Sequence, residues 1–548
     1  MLVCRGKGVC EGIAIGKIKV LKKNHSDIEM VHTEESEAEL LRFSEAKKKA
    51  EKELEELYKK AKSEVGEENA AIIEIHRMML EDSDFNASIE NIIQTKKVNA
   101  EYAVWVTGEN FSEKFSSVND EYMRSRAADV KDISERLIAC MLDIQRDEAI
   151  EKYTVIAAEE LMPSETVKLD KKNVTAFVTA KGSENSHTAI LAKTLNIPSV
   201  VGCEIGIDST LDGKTAIVNG FTGEVYIEPD EETLTDMQLK IEQNRASEKF
   251  LDTLKGKENI TLDGRKIQLY ANIGNIEDID SVLMNDGGGI GLFRSEFIYL
   301  GKNDFPCEEE QFEIYKKAAE AMGGRKNIIR TLDIGADKKA DYFNLKDEEN
   351  SAMGYRAIRI CLKEPHILKT QLRAIFRAGV YGNISVMYPM ITSVDEIRKI
   401  KFIADEVKSE MKSEGISFAD IEQGIMIETP AAVLISDDLA KEVDFFSIGT
   451  NDLIQYTLAA DRQNEMLDDF YNPHHKAVLR MIKMTIDNAH KNGIWAGICG
   501  ELGADTELTE LFLAMGIDEL SVTPSSILKV RKKILETNVG KVDIKKWI

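Results

Sequence analysis

In the second half of the chain, short apolar segments end in side chains that bind anions, bind metal ions or donate protons. These side chains are Arg294, Arg330, Glu428, Asn451, Asp452 and Cys499. Arginine grips phosphate and carboxylate through paired hydrogen bonds, and carboxylate oxygens are ligands for Mg²⁺. A thiol with an ordinary pKa of about 8.5 is mostly protonated at pH 7 and can donate a proton. The set predicts a site that binds a highly charged small anion together with Mg²⁺.

Two more arginines lie near this set: Arg462 follows Asn451 and Asp452 closely, and Arg356 lies in a stretch that the pattern does not assign to a strand. Each residue taken alone could be structural. An arginine could form an ion pair, Cys499 could be a small buried side chain, and an acid could cap a helix. Their repeated position after apolar segments favours a shared site.

A second chemical feature is the loop that runs from Gly182 through Ser186 to His187. The residues after it have a helical pattern, so a helix is predicted to begin at about His187. A helix N-terminus favours an anion, and an imidazole nitrogen there could carry a phosphoryl group. Taken alone, His187 could equally be a capping or packing residue. None of the other seven histidines lies in a comparable loop.

The elements that must position the first set alternate from about residue 258 onward between apolar, strand-like segments and amphipathic helices. This alternation over almost 300 residues predicts a parallel sheet closed into a (β/α)₈ barrel, in which the C-terminal strand ends meet at one mouth. The predicted strands are Ile267–Ala271, Gly289–Phe293, Ile328–Leu332, Ile384–Met387, Gly424–Ile427, Phe445–Ile448 and Trp495–Ile498.

The first half of the chain contains two kinds of sequence pattern, one typical of strands and loops and one typical of helices. Residues 1–20 predict loops and one strand, helical periodicity follows to about residue 147, and strands return at Thr154. We therefore expect an α/β domain made of residues 1–20 and 148–229, interrupted by a helical bundle at 21–147. A charged linker helix is expected at 230–257, before a barrel domain at 258–548.

Composition limits the possible partners and compartments. The 548 residues carry 71 basic and 96 acidic side chains, a net charge of −25, which disfavours nucleic acid and favours a basic protein partner. No apolar run approaches the roughly 20 residues of a membrane-spanning helix, so no membrane insertion is expected. Seven scattered cysteines without a CxxC pair indicate a reducing cytoplasm.

These motifs resemble one family. The chain is similar to enzyme I of the bacterial sugar phosphotransferase system, the phosphoenolpyruvate–protein phosphotransferases, over essentially its whole length. The segments that carry the resemblance are Ser186–Ile190, Arg330–Gly335, Gly354–Arg359, Phe445–Leu453 and Cys499–Leu502.

The resemblance implies a multidomain α/β protein: a swivelling β/α phosphohistidine domain with an inserted α-helical bundle, followed by a C-terminal (β/α)₈ TIM barrel. It implies that His187 is phosphorylated by phosphoenolpyruvate, that Cys499 protonates the enolate of pyruvate, and that Glu428 and Asp452 hold Mg²⁺. It further implies that the bundle, including the stretch around His76, docks the phosphocarrier protein HPr, and that the barrel forms a homodimer. The residues that match the substrate-binding positions are Arg294, Arg330, Asn451, Arg462, Arg356 and Lys338.

The loop before His187 departs from the family's usual Gly-Gly-Arg-Thr-Ser-His, because Glu184 and Asn185 precede Ser186 here. We expect Glu184 to point away from His187 or to pair with Lys181 or Lys193.

Two other kinds of protein share parts of this pattern. Pyruvate,phosphate dikinases and phosphoenolpyruvate synthases resemble the chain in the histidine domain and barrel, but they carry a large nucleotide-binding domain for which no segment is present here. Regulatory phosphorelay proteins carry an additional N-terminal sensory domain, whereas residues 1–20 lead directly into the bundle. The predicted function is phosphoryl transfer from phosphoenolpyruvate to HPr.

Overall fold

The chain folds into two compact units, Met1–Ala246 and Ser247–Ile548. The computed structural model describes residues 1–21, 28–65, 67–116, 121–143, 151–161, 173–182, 186–195, 197–204, 206–300, 302, 304–335, 341–343, 345, 348, 350–462, 464–467 and 469–548.

The first unit contains a mixed sheet whose described strands lie on both sides of a helical insertion in the sequence. They are β1 (Leu2–Arg5), β2 (Lys7–Cys10), β3 (Ile13–Leu21), β4 (Thr154–Ala158), β5 (Val174–Thr179), β6 (Ser199–Val201), β7 (Thr215–Asn219) and β8 (Glu224–Ile227). The order across the sheet is β1-β8-β7-β3-β4-β5-β6-β2. Because β3 and β4 pair in parallel although the helices separate them in sequence, the bundle is inserted into one α/β domain, as predicted.

The expectation of loops and one strand for residues 1–20 is wrong, because three strands form there. The two missed strands are four residues long, Gly6 separates them and the second contains Gly8, so their composition gives little strand signal. The structure shows why glycine occupies these positions. A Cβ built on Gly8 would overlap the backbone carbonyl of Gly220, so the chain segments approach more closely than any side chain allows.

The insertion is a bundle of amphipathic helices that share one apolar core. In the described part of the chain the helices are Ser36–Val65, Glu67–Glu81, Ser83–Lys96, Ala100–Ser116 and Glu121–Met141. Leu54, Ile89, Val104 and Leu137 come from four of them and are fully or almost fully buried together. Within one helix the buried residues recur at helical spacing, as Phe43, Ala50, Leu54 and Leu57 do in Ser36–Val65, and this pattern predicts the bundle from the sequence.

The second unit contains a closed barrel of parallel strands. Its strands are β9 (Gln268–Ile273), β10 (Gly289–Arg294), β11 (Lys326–Arg330), β12 (Ile384–Tyr388), β13 (Glu422–Ile427), β14 (Phe445–Ile448), β15 (Trp495–Ile498) and β16 (Glu519–Val522). All neighbouring pairs are parallel, and β16 pairs with β9 to close the barrel. The predicted (β/α)₈ fold is confirmed, with β16 as a strand that the sequence pattern missed.

The helices of this unit follow the strands. Within the described residues they are Asp278–Met284, Glu308–Ala321, Ile358–Lys363, Pro365–Ala378, Val394–Ser413, Pro430–Leu434, Ser436–Leu439, Thr450–Leu458, Lys476–Lys491, Thr509–Met515 and Ile527–Glu536. The longest, Val394–Ser413, begins with a capping box in which Ser393 and Glu396 satisfy each other's backbone N–H groups. A mostly exposed helix, Glu231–Asp252, spans the boundary between the two units.

Each barrel strand has an outer face toward the helices and an inner face toward the barrel axis. Outward side chains such as Ile329, Val386 and Ile425 join the large core between strands and helices. A separate inner cluster contains Leu292, Ile328, Met387, Met426, Phe445 and Cys499. Because alternate side chains of each strand point toward the axis, they fill the interior of the barrel. The polar groups at the strand ends therefore lie above a packed interior.

Candidate active site at the barrel mouth

The structure places the predicted strand-end residues at one mouth of the barrel. Arg294 and Arg330 are the last residues of β10 and β11 and are aligned partners in the sheet. Glu428 comes one residue after β13, Asp452 lies in the first turn of the helix after β14, and Cys499 comes one residue after β15. Because the strands are parallel and the barrel is closed, these groups converge on one cavity rim.

Arg330 is buried and held by two carboxylates. Its guanidinium lies 2.5 Å from a Glu296 oxygen and 3.0 Å from an Asp333 oxygen. Burial alone would lower the pKa of the Arg330 guanidinium, but the two negative charges outweigh it and raise that pKa. The arginine is therefore a permanent, fixed positive charge under the mouth.

Arg356 reaches the same site although it is not on a strand. It lies between the short 3₁₀ turn Ser351–Met353 and the helix Ile358–Lys363. Its guanidinium lies 2.8 Å from Asp333 and 3.8 Å from Asp452, and it donates a hydrogen bond to the Tyr456 hydroxyl at 3.4 Å. Asp333 thus connects the two buried arginines.

Glu428 and Asp452 form a pair of buried carboxylates. One Glu428 oxygen accepts a hydrogen bond from the Met390 backbone N–H at 2.6 Å. Oδ1 of Asp452 is buried and has no hydrogen-bond partner among the described residues. Burial, together with the negative charges of Asp452 and Asp333, raises the pKa of Glu428. Two acids that repel each other and leave an acceptor unsatisfied are suited to a divalent cation, so this pair fits Mg²⁺.

Asn451 and Arg462 lie farther out at the rim. The Asn451 side chain donates to a Glu501 oxygen and accepts from the Glu501 backbone N–H, both at 3.0 Å. The reciprocal pair fixes the amide between the loops after β14 and β15. Arg462 is exposed, and its backbone N–H donates to the Gln455 side chain at 3.2 Å.

Cys499 lies at the floor of the cavity with 3% of its surface exposed. Its thiol donates to the Ile448 carbonyl at 3.6 Å. Burial raises the pKa of this thiol to about 12. At neutral pH the group is therefore a protonated thiol and not a nucleophilic thiolate.

His187 belongs to the first unit and is the first residue of the helix His187–Leu195, as predicted. The Ser186 hydroxyl caps this helix, since it accepts a hydrogen bond from the Ala189 N–H at 3.4 Å. The His187 side chain, Glu184, Asn185 and Lys338 lie outside what the structure describes, so the predictions for them stay predictions. Lys181, one of the two partners expected for Glu184, forms an ion pair with Glu159 at 2.6 Å.

The sequence pattern gave no role to the two acids that hold the arginines. Glu296 comes two residues after Arg294, and Asp333 comes three residues after Arg330. Their position just beyond strand ends was a usable signal. Their pairing with Arg330 was not predictable, because side-chain direction beyond a strand end does not follow from periodicity.

The chain matches models of phosphoenolpyruvate-utilising enzymes in three parts. The N-terminal domain model matches residues 5–126, the mobile domain model matches 150–223, and the PEP-binding domain model matches 248–539. The last match contains the barrel and all the mouth residues described above. With the barrel fold, these matches define the chain as a phosphoenolpyruvate-utilising enzyme.

Relatives narrow the class further. The phosphoenolpyruvate-protein phosphotransferase of Priestia megaterium is 42% identical over 543 residues, which cover 98% of this chain and 94% of that protein. The protein of the same name from Bacillus subtilis (strain 168) is 41% identical over 533 residues, covering 97% and 94%. A solution structure of an Enzyme I protein is 34% identical and covers 44% of this chain and 99% of that one, with a TM-score of 0.38. The chain belongs to the phosphoenolpyruvate-protein phosphotransferase family.

Proposed function

We propose that the chain transfers the phosphoryl group of phosphoenolpyruvate to its own His187 and then to a histidine of HPr, releasing pyruvate. This is the first step of the sugar phosphotransferase system. The observation that carries the proposal is the buried cluster in which Arg330 and Arg356 share Asp333 at the barrel mouth. Fixed guanidinium groups of this kind stabilise charge on a phosphoryl group in transfer without reorganising.

In the first transfer, an imidazole nitrogen of His187 attacks phosphorus as the bond between phosphorus and the enol oxygen breaks. Arg294, Arg330, Arg356 and Arg462 bind the phosphate and carboxylate oxygens, and the fixed amide of Asn451 orients the substrate. We expect Lys338 to contribute a further positive charge.

Glu428 and Asp452 would hold Mg²⁺, which supplies positive charge to the phosphate oxygens when it is bound. The assignment is supported by the unsatisfied Asp452 oxygen and by the charges that raise the pKa of Glu428.

The leaving group is the enolate of pyruvate, and it needs a proton on carbon. The Cys499 thiol is suited to donate it, because the thiol is protonated and lies at the floor of the same cavity. Once C3 is protonated, pyruvate no longer reverses the reaction easily, and this drives the phosphoryl group onto His187.

In the second transfer, an imidazole nitrogen of HPr attacks the phosphorus on His187. We assign the docking surface to the helical bundle, where a groove of about 500 Å³ opens between the helices Ser36–Val65 and Glu67–Glu81. Leu54, Tyr58 and Ile73 give the groove an apolar base, and charged side chains surround them. An apolar centre with a charged rim suits a transient protein partner.

His187 must meet phosphoenolpyruvate in one step and HPr in the next. We assign this movement to the helix Glu231–Asp252, which connects the two units and is largely exposed. Domain movement around an exposed connection is a common way to separate two half-reactions.

We also propose that the chain forms a homodimer through the barrel unit. Large apolar side chains of that unit are exposed, among them Phe402, Leu434 and Phe470 with 64%, 67% and 70% of their surfaces accessible. Sedimentation velocity over a concentration series tests this, with a monomer at all concentrations as the contradicting result.

The direct test of the proposed function mixes the chain with ³²P-labelled phosphoenolpyruvate, MgCl₂ and HPr. We expect label on HPr, its loss in His187→Ala, and its retention in the control His366→Ala, which changes an exposed histidine of the barrel unit. Labelling of HPr that persists in His187→Ala would contradict the proposal. ATP-dependent formation of phosphoenolpyruvate would favour the dikinase or synthase alternative.

A further inference from the structure

A buried carboxyl group lies beneath Cys499 inside the barrel. Ser447, Gly497 and Glu519 are aligned neighbours across β14, β15 and β16, so they form one row on the inner face. Gly497 precedes Cys499 by two residues and therefore shares its face. Because Gly497 has no side chain, the space under the thiol is bounded by Ser447 and Glu519.

The barrel is shaped to hold the Glu519 carboxyl. A Cβ built on Gly497 would overlap one of its oxygens, and a Cβ built on Gly291 would overlap the other. Two inward glycines on different strands thus make room for this one side chain. Any larger residue at either position would displace the carboxyl or the strand.

The carboxyl is buried but not satisfied. Glu519 has 1% of its surface exposed, and neither oxygen has a hydrogen-bond partner in the described part of the chain. Burial, with a contribution from the charge of Asp518, raises its pKa well above the ordinary value. A buried group of this kind holds its proton at neutral pH and has open positions for a bridging water.

Hydrogen bonds connect the strand that carries Glu519 to the loop that carries Cys499. Ser521, two residues after Glu519, donates to the side-chain amide oxygen of Asn272 at 2.6 Å, and the side-chain NH₂ group of Asn272 donates to the Cys499 backbone carbonyl at 3.0 Å. This polar column joins β16 to the loop that carries the thiol.

We propose that Glu519 is a proton-relay residue that restores the proton of Cys499 after each turnover. The inference rests on the proposed function, in which Cys499 protonates the enolate. As the C3–H bond of pyruvate forms, the S–H bond breaks and leaves a thiolate. The O–H bond of Glu519 then breaks and an S–H bond forms, with one water as the bridge. Once pyruvate has left, water enters through the open mouth, and a proton passes from it by way of Cys499 and the bridging water to the carboxylate before the next cycle.

The direction of this transfer follows from ordinary acidity. Burial raises the pKa of both groups, and the thiol starts from the higher ordinary value, about 8.5 against about 4.3 for a carboxylic acid, so the thiolate is the stronger base of the two. While pyruvate occupies the site above Cys499, the thiolate cannot take a proton from bulk water, because Cys499 is otherwise covered. A neutral acid from below provides the proton on the side that substrate does not occupy.

The test separates the first turnover from later ones in the full-length chain. Rapid-quench measurement of pyruvate, with phosphoenolpyruvate and HPr in excess, gives both rates in one experiment. In Glu519→Gln, the first equivalent of pyruvate should form at the wild-type rate, because Cys499 begins with its own proton. Later turnovers should be slower by about a hundredfold or more, the lower end of what positioned proton transfer contributes.

Two further variants complete the design. Glu519→Asp keeps an acid and should recover part of the steady-state rate, whereas a purely structural role predicts no recovery. Asn327→Leu removes another buried polar side chain of the barrel, on the outer face of β11 next to the inward Ile328, and should change neither rate.

Each outcome is decisive. Equal loss of the first and later turnovers in Glu519→Gln would assign Glu519 a structural role and overturn the relay, and so would an unchanged steady state. Should Glu519→Gln not fold, Glu519→Asp decides, since the relay predicts a normal first turnover and a smaller later loss. A wild-type chain that forms no pyruvate from phosphoenolpyruvate would instead overturn the proposed function.

Discussion

Asp333 and Arg356 form a buried ion pair at the barrel mouth, with 2.8 Å between a carboxylate oxygen and a guanidinium nitrogen. The same carboxylate lies 3.0 Å from Arg330. One acid thus sets the position of two arginines before any anion arrives. Because both arginines are held in advance, binding of a phosphorylated substrate does not have to order them, and their charge is available where negative charge develops.

The shared carboxylate should stabilise the barrel strongly. Asp333→Asn removes the charge between two buried guanidinium groups, and breaking a buried ion pair typically costs about 3–5 kcal/mol. We expect the free energy of unfolding of the barrel unit to fall by about this amount in urea denaturation followed by tryptophan fluorescence. The control is Asp487→Asn, which breaks an exposed pair with Lys483 and should cost less than about 1 kcal/mol. An equal loss of unfolding free energy in the two variants would contradict the role of Asp333 in holding both arginines.

The carboxylate pair should be the divalent cation site. Glu428→Gln or Asp452→Asn removes one charged oxygen ligand, so we expect Mg²⁺ affinity in isothermal titration calorimetry to fall by at least about tenfold. His474, Asp505 and Glu507 form another group of possible ligands, in which only Glu507 is fully exposed. Glu507→Gln is therefore the matched control, and it should leave the affinity unchanged. A loss of affinity in the control alone would move the site to the exposed group.

The Cys499 thiol should resist alkylation at moderately alkaline pH. Its pKa of about 12 keeps it protonated, whereas alkylation requires the thiolate. The stability that this neutral thiol contributes is complete below the unfolded-state pKa of about 8.5 and is lost as pH rises toward the folded value. After iodoacetamide treatment of the native chain at pH 8, peptide mass spectrometry should show modified Cys307, which is exposed, and unmodified Cys499. Comparable modification of the two cysteines would refute the protonated thiol.

The floor of the barrel should not tolerate a methyl group at Gly424. The rings of Phe445 and Trp495 stack there with centroids 4.5 Å apart, and a Cβ on Gly424 would lie 2.5 Å from carbons of the Phe445 ring. Overpacking of this kind costs about 1–3 kcal/mol, so Gly424→Ala should lower the thermal midpoint measured by calorimetry. Gly540→Ala adds the same methyl where its nearest neighbour is at an ordinary 3.5 Å, and it should have little effect. An unchanged midpoint in Gly424→Ala would mean that the stack can move aside.

The sequence predicted the barrel well because seven strands carry apolar runs, such as Phe445–Ile448. It missed Glu519–Val522 for a physical reason. In that strand Leu520 and Val522 face the helices, while Glu519 and Ser521 face the barrel axis, where apolar side chains are normally expected. Because its inner face is polar, this strand lacks the apolar run that marks the other seven. The same face carries Glu519, to which we assign the return of the proton to Cys499.

The mouth residues were predictable because they directly follow apolar strands, and parallel strands in a barrel end at one rim. The pairing of Asp333 with Arg356 was not predictable, because Arg356 lies on an irregular segment and Asp333 meets it across 23 positions of sequence. Contacts of this kind depend on how loops fold over the mouth, which local periodicity does not encode.

The location of the phosphoryl group on the chain tests most directly whether phosphoenolpyruvate phosphorylates His187. After incubation with phosphoenolpyruvate and MgCl₂ without HPr, mass spectrometry under conditions that preserve phosphohistidine should find one phosphoryl group, on the peptide that contains His187. We predict full loss of this modification in His187→Ala and its rapid removal when HPr is added. A phosphoryl group on a different residue, or an unmodified chain with pyruvate still released, would contradict the account.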